Sequence, residues 1–198
     1  MSFVVEFLRQ ETSHRMESIR LLALSGSLRK ASYNTAAIKA LQILAPAHVE
    51  VTIGSIGELP LFNPDREGEH IGAVDELICS LDHADGVIIA SPEYAHGISG
   101  PMKNALDWLV SGVEFPHKPI MLINTSPRAS HAQLALREVL TTMSGNIIEK
   151  SCVSIPLLGS ELGVDGIVES EEISGVLKAG LNEFCLAIEA HKRSKHVD

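Results

Sequence analysis

A chain of 198 residues, set against roughly 150 per domain, leaves room for one core and an extension but hardly for a second core. With 45% apolar and 21% charged residues it has the composition of an ordinary soluble domain, and no run approaches the ~20 continuous apolar residues of a membrane-spanning helix, so no membrane insertion is expected. Lys plus Arg number 16 against 25 Asp plus Glu, a net charge of -9 that argues against a broad DNA- or RNA-binding face; any anion must be met locally.

Residues 1–18, MSFVVEFLRQETSHRMES, join a short apolar start to mixed charges without the features of a signal peptide. They read as an N-terminal extension, with Met16 as an alternative start, ahead of a single domain over residues 19–198. The apolar run Ile19 to Leu24 ending at Ser25-Gly26-Ser27 fits a buried strand and a tight turn. Ala37, Leu41 and Leu44 mark a helix that stops near Pro46, and Val49 to Ile53 alternates as a second strand before a loop from Gly57 to Gly68. Ile71, Val74, Leu77, Ile78 and Leu81 have helical spacing, and Gly86 to Ala90 is the most central-looking strand.

A third helix begins at Pro101, whose missing N–H is not needed in a first turn, and buries Met102, Ala105, Leu106 and Leu109. Pro119 to Asn124 gives the fourth strand, Ser130 to Met143 the fourth helix, and the region from Ile147 to Ile155 the fifth strand. The last helix carries Ile173, Val176, Leu177, Leu181, Phe184 and Ile188 before a charged tail from His191 to Asp198. Strands alternating with helices imply an α/β three-layer sandwich, a five-stranded parallel sheet of flavodoxin-like order 2-1-3-4-5. Cys79, Cys152 and Cys185 are odd in number and lack metal-site or disulfide spacing, so they read as buried thiols of a reducing cytoplasm, with no metal.

In such a sheet, ligands bind beyond the carboxyl ends of the strands, here at the loops after strands one, three and four. The first loop, Ser25 to Thr35, gathers Ser27, Arg29, Ser32, Asn34 and Thr35 at a helix N-terminus, where free N–H groups and the dipole favour a phosphate. Ser32 or Asn34 could equally be a simple helix cap. No GxxxxGK[ST] or GxGxxG occurs, which suits the loop to a single monophosphate. The second loop, Ser91 to Gly100, is shaped by Pro92 and two glycines so that backbone amides can come close to a planar heterocycle, while Tyr94 and His96 offer a polar rim and His96 alone could equally be a surface histidine. Lys103, Asn104 and Asp107 read as an exposed helix face, while Trp108 fits either the core or an interface.

GSLRKASYN and SPEYAHGISGPMKNALDW resemble the paired signature segments of the NAD(P)H-dependent FMN reductases, a flavodoxin-like group with quinone, azo-dye and chromate reductases. The resemblance spans roughly residues 19–190 and implies that Ser27, Arg29, Ser32, Asn34 and Thr35 bind the FMN phosphate. It further implies that Pro92, Glu93, Tyr94, Ala95 and His96 line the isoalloxazine ring and that Ser126 touches the flavin. Ala95 stands where the family usually has Asn, and Arg128-Ala129 replace glycines in the third loop.

The implied reaction is ping-pong: NADPH or NADH reduces FMN, and a quinone, flavin, azo dye or chromate then reoxidises it. No side-chain nucleophile is needed, and no GxSxG or HExxH occurs. The resemblance also implies a homodimer or homotetramer, with Trp108, Leu109 and Val110 as contact residues. An FMN electron carrier and a flavin-free regulatory protein are the alternatives; Arg29 argues against the first, and Ala95 with the altered third loop favours the second.

Overall fold

A computed structural model describes residues 18–128 and 130–195; the extension up to residue 17, Ala129 and the end of the charged tail lie outside the described residues. Strand β1 (Ile19–Ser25) lies between β2 (Val49–Gly54) and β3 (Gly86–Ala90), and β3 is followed by β6 (Pro119–Asn124), all parallel. This is the order expected from the alternation of strand and helix. The short strands β4 (Glu93–Tyr94) and β5 (Gly97–Ile98) form a separate antiparallel hairpin.

The expected fifth strand is broken into β7 (Asn146–Ile147) and β8 (Val153–Ser154), each paired parallel with β6. Between them the 3-10 turn Glu149–Ser151 leaves the ladder, because Glu149 and Lys150 are exposed there and Arg137 pairs with Glu149. The fully buried Ser151 closes the turn by donating to Ile148 O at 2.7 Å.

Alternation within buried strands assigns each residue to a layer. Leu21 and Ala23 face the layer of α1 (Tyr33–Leu44), α5 (Val164–Glu169) and α6 (Glu171–Lys195), packing among Ile38, Leu41, Leu177 and Phe184. Leu22 and Leu24 face the opposite layer of α2 (Gly72–His83), α3 (Gly100–Leu109) and α4 (Ser130–Thr142), with Leu77, Met102, Leu106 and Leu136. Each fully buried apolar side chain of this kind contributes ~1.5–3 kcal/mol.

Several expectations need correction. The charged tail is helical to Lys195, since Lys192 reaches Asp85 at 2.8 Å and Asp85 also accepts the N–H of Arg20. Trp108 belongs to the core: at 6% exposure it meets Phe62 edge-on at 5.2 Å and donates its indole N–H to Pro60 O at 2.8 Å. Leu109 is buried as well, and of the three implied contact residues Val110 alone stands exposed.

Asn104 is no free surface residue, because its side chain holds the loop before α2 through Phe62 N at 2.8 Å and Pro60 O at 2.9 Å. Lys103 does stay on the surface, paired with Asp107 one turn on. Among the cysteines, Cys185 is buried and its thiol pushed up to about 11 by desolvation, and Cys152 is half-buried. Cys79 is exposed, on the outer side of α2, contrary to the expected burial. Among the described residues no helix is long and apolar enough to cross a membrane, and no group of three or more His, Cys, Asp and Glu could hold a metal ion.

Candidate functional site

The carboxyl ends of β1, β3 and β6 open onto one cleft of about 720 Å³, within the ~300–1,000 Å³ usual for small-molecule sites. Ser27, Arg29, Ser32, Asn34 and Thr35 line one part of it, and Pro92, Glu93, Tyr94, Ser126 and Arg128 another. The structure therefore joins all three loops singled out in the sequence. Ala95 and His96 do not line the cleft; they form the tip of the hairpin beside it.

The first loop is braced before any ligand arrives. Ser32 caps α1 by accepting from Thr35 N at 3.3 Å, so the capping reading holds for this residue. Thr35 Oγ1 lies 2.8 Å from Ser25 Oγ, and the buried Asn34 accepts from Thr125 Oγ1 at 3.0 Å, linking α1 to the third loop. The N–H groups of Tyr33 and Asn34 make no hydrogen bond among the described residues, and Ser27 is 8% exposed with its hydroxyl near Arg29 N. These are the free donors that an anion at a helix N-terminus needs.

Gly26 has to be glycine, since a Cβ there would stand 2.5 Å from Ser91 Oγ and 2.9 Å from Ser99 Oγ. The fully buried Ser99 locks this approach: it donates to Gly26 O at 2.6 Å and caps α3 by accepting from Met102 N. Loops one and two are thereby one bonded unit.

At the hairpin, both turn residues have positive φ, Ala95 at 50° and His96 at 59°, as a two-residue turn of type I′ requires. Asn and Gly take this conformation readily and alanine does not, which gives the missing Asn a conformational meaning. Glu93 turns its carboxylate away toward α4, where Oε2 accepts from Ala132 N at 2.9 Å and Oε1 lies 3.2 Å from His96 Nδ1. The Ala132 N–H, outweighing desolvation, holds this carboxyl below its ordinary value, aided by His96 and His131. The rings of His96 and His131 meet edge-on at 4.5 Å.

Sequence reasoning overlooked one wall. The loop after β8 contributes Leu158, Glu161, Leu162 and Gly163, followed by Val164 of α5, and Lys30, Tyr33 and Lys39 face the same cleft. Glu161 sits at φ 57° and its N–H donates to Tyr33 Oη at 3.3 Å. A Gly-Ser-Glu-Leu-Gly stretch after the last strand was the available signal. Arg29, Lys30, Lys39 and Arg128 all line the cleft, and none has an ion pair among the described residues.

Comparison with known proteins places this geometry. Residues 19–157 match the model of the family described as NADPH-dependent FMN reductase. The chain is 34% identical over 145 residues to the quinone reductase of Escherichia coli (strain K12), covering 68% of this chain and 76% of the relative. It is 31% identical over 180 residues to the NADPH:quinone oxidoreductase of Arabidopsis thaliana, covering 87% and 91%. Among solved structures, the flavoenzyme NAD(P)H:(acceptor) oxidoreductase of Paracoccus denitrificans superposes with a TM-score of 0.74 at 30% identity, covering 87% of this chain and 98% of that one. With both signature loops gathered on one cleft and the family match spanning most of the chain, the chain belongs to the NADPH-dependent FMN reductase family.

Proposed function

We propose that this chain reduces a bound FMN with NAD(P)H and passes the electrons to a quinone or a similar small oxidant, donor and acceptor using the same slot in turn. The observation that carries this reading is one cleft that gathers unpaired cations and the first N–H groups of α1 together with Pro92 and Tyr94 of the loop after β3. Those residues fit the group: Ser27, Arg29 and the first N–H groups of α1 suit a phosphate dianion, while Pro92, Tyr94 and Ser126 leave a flat, partly apolar opening. When bound, FMN supplies the two-electron chemistry that no side chain here can perform.

The chain's own part is to position and to bias. Ser27, Arg29, Ser32, Asn34 and Thr35 anchor the phosphate, Asn34 and Thr35 chiefly by keeping α1 aimed, as their side chains are already bonded to Thr125 and Ser25. Pro92, Glu93, Tyr94, Ala95 and His96 shape the ring edge, with Glu93 and His96 tying the hairpin to α4. Tyr94, 49% exposed, offers a ring face and a hydroxyl at the opening. The names of relatives support quinones and azo dyes as acceptors, and flavins and chromate are further small oxidants of this proposal. The protein acts in the cytoplasm as a homodimer or homotetramer whose second copy walls the open side.

The test is a visible spectrum of protein saturated with FMN and desalted, followed by anaerobic NADPH or NADH. Retained yellow colour that bleaches within a turnover is the expected result. Retained flavin that neither nucleotide reduces would return the chain to the electron carriers, and absence of both binding and turnover with free FMN would end the redox reading.

A further inference from the structure

The cleft is lined by cations from more than one loop, and on the flavin reading FMN brings its phosphate to those of the first. We propose that Arg128 recognises the 2′-phosphate of NADPH and so sets the donor preference, an inference that rests on the flavin reading above. Arg29 and Lys30 belong to the loop after β1, which on that reading meets the FMN phosphate, whereas Arg128 belongs to the loop after β6, two residues beyond Ser126, which the same reading sets against the flavin ring. The ring has no phosphate, so FMN leaves this arginine without a partner.

The protein does not supply one either. Arg128 makes no ion pair among the described residues. Of the two acids lining the cleft, Glu161 is in no ion pair among the described residues, and Glu93 has one oxygen on Ala132 N at 2.9 Å and the other 3.2 Å from His96 Nδ1. The same contact gives one first-turn N–H of α4 a carboxylate partner from the protein itself. Its guanidinium is exposed on an otherwise acidic chain, free to meet an anion that FMN does not bring.

The anions that reach this end arrive with the donor. Its pyrophosphate is common to both nicotinamide nucleotides, one charge on each phosphodiester. The 2′-phosphate is a monoester carrying about -1.5 to -2 charges and presents the oxygens that a planar guanidinium grips in pairs. It is the part of the donor that Arg128 suits best.

Calorimetric titration with 2′,5′-ADP and with 5′-AMP, each with and without added FMN, tests the assignment apart from turnover. Wild type should bind 2′,5′-ADP about tenfold or more tightly than 5′-AMP, and Arg128→Ala should erase that gap. Arg128→Lys should keep part of it, and in Arg128→Ala the ratio of kcat/KM for NADPH over NADH should fall about tenfold. The proposal is overturned if wild type shows no gap, if Arg128→Ala weakens both probes alike, as a pyrophosphate contact would, or if Lys39→Ala removes the gap and Arg128→Ala does not. Flavin retention, read from the visible absorbance of the same samples, reports separately on the flavin reading.

Discussion

The two ends of the cleft are built to different tolerances. At the phosphate-loop end, hydrogen bonds tie three loops together: Ser25 Oγ with Thr35 Oγ1, Thr125 Oγ1 to Asn34 Oδ1, and Ser99 Oγ to the Gly26 carbonyl. At the hairpin end, a two-residue strand pair carries an exposed Tyr94, and its turn rests on two residues in the left-handed region. On the proposed reading, the contrast teaches that this fold fixes what would never change between turnovers, an anchored phosphate, and leaves adaptable the edge where donor and acceptor would exchange.

That contrast can be broken most severely at its tightest point. Ser99→Ala removes a helix cap and leaves the buried Gly26 carbonyl without its donor, so thermal or urea unfolding should show a loss of about 2–4 kcal/mol. Arg29→Ala attacks the same end without touching its packing. FMN affinity, followed by flavin fluorescence, should fall at least tenfold, ~1.5–3 kcal/mol for a charge-assisted contact, and unchanged affinity would remove Arg29 from the phosphate site.

At the other end, Glu93 makes stability depend on pH in a known direction. Its folded pKa lies below the ordinary 4.5, so its contribution is fully present above that value and is lost as pH falls through the folded pKa. Glu93→Gln should flatten the stability profile in that acid window and leave neutral pH nearly unaffected in slope; equal slopes in both proteins would refute the Ala132 contact. The smallest expected effect has the opposite sign. Ala95→Asn places a residue tolerant of positive φ in the turn and should stabilise by ~0.5–1 kcal/mol in a denaturant titration, sharpening the hairpin without changing the phosphate end.

How far each end was legible in the sequence follows the same divide. The phosphate loop follows a buried apolar strand and precedes a periodic helix, so position and chemistry could be read together from Leu21 to Leu41. The hairpin could not be recognised as one, since two-residue strands carry no period, and an Ala-His turn lacks the Asn-Gly signal. The tie from Glu93 to Ala132 was not legible because the two lie 39 positions apart, one on a two-residue strand and the other on a helix. Leu158, Leu162 and Val164 were invisible as a cleft wall for a similar reason: only the packing of α5 on α1 turns them inward. The break in the fifth strand was signalled by Glu149-Lys150, but charges near the end of a sheet are common enough that the interruption needed the structure.

The unpaired cations of the cleft have a kinetic consequence. Arg29, Lys30, Lys39 and Arg128 supply four of the chain's 16 basic residues, on a body whose net charge is -9. A polyanionic nucleotide approaching at random is repelled by most of the surface and drawn toward one mouth, so the field sorts productive from unproductive collisions before contact. Added salt screens the distant repulsion over a Debye length of about 8 Å near physiological strength, and it screens the local attraction least once the nucleotide has entered. Capture of the donor is therefore governed by where the charge sits, not by its total.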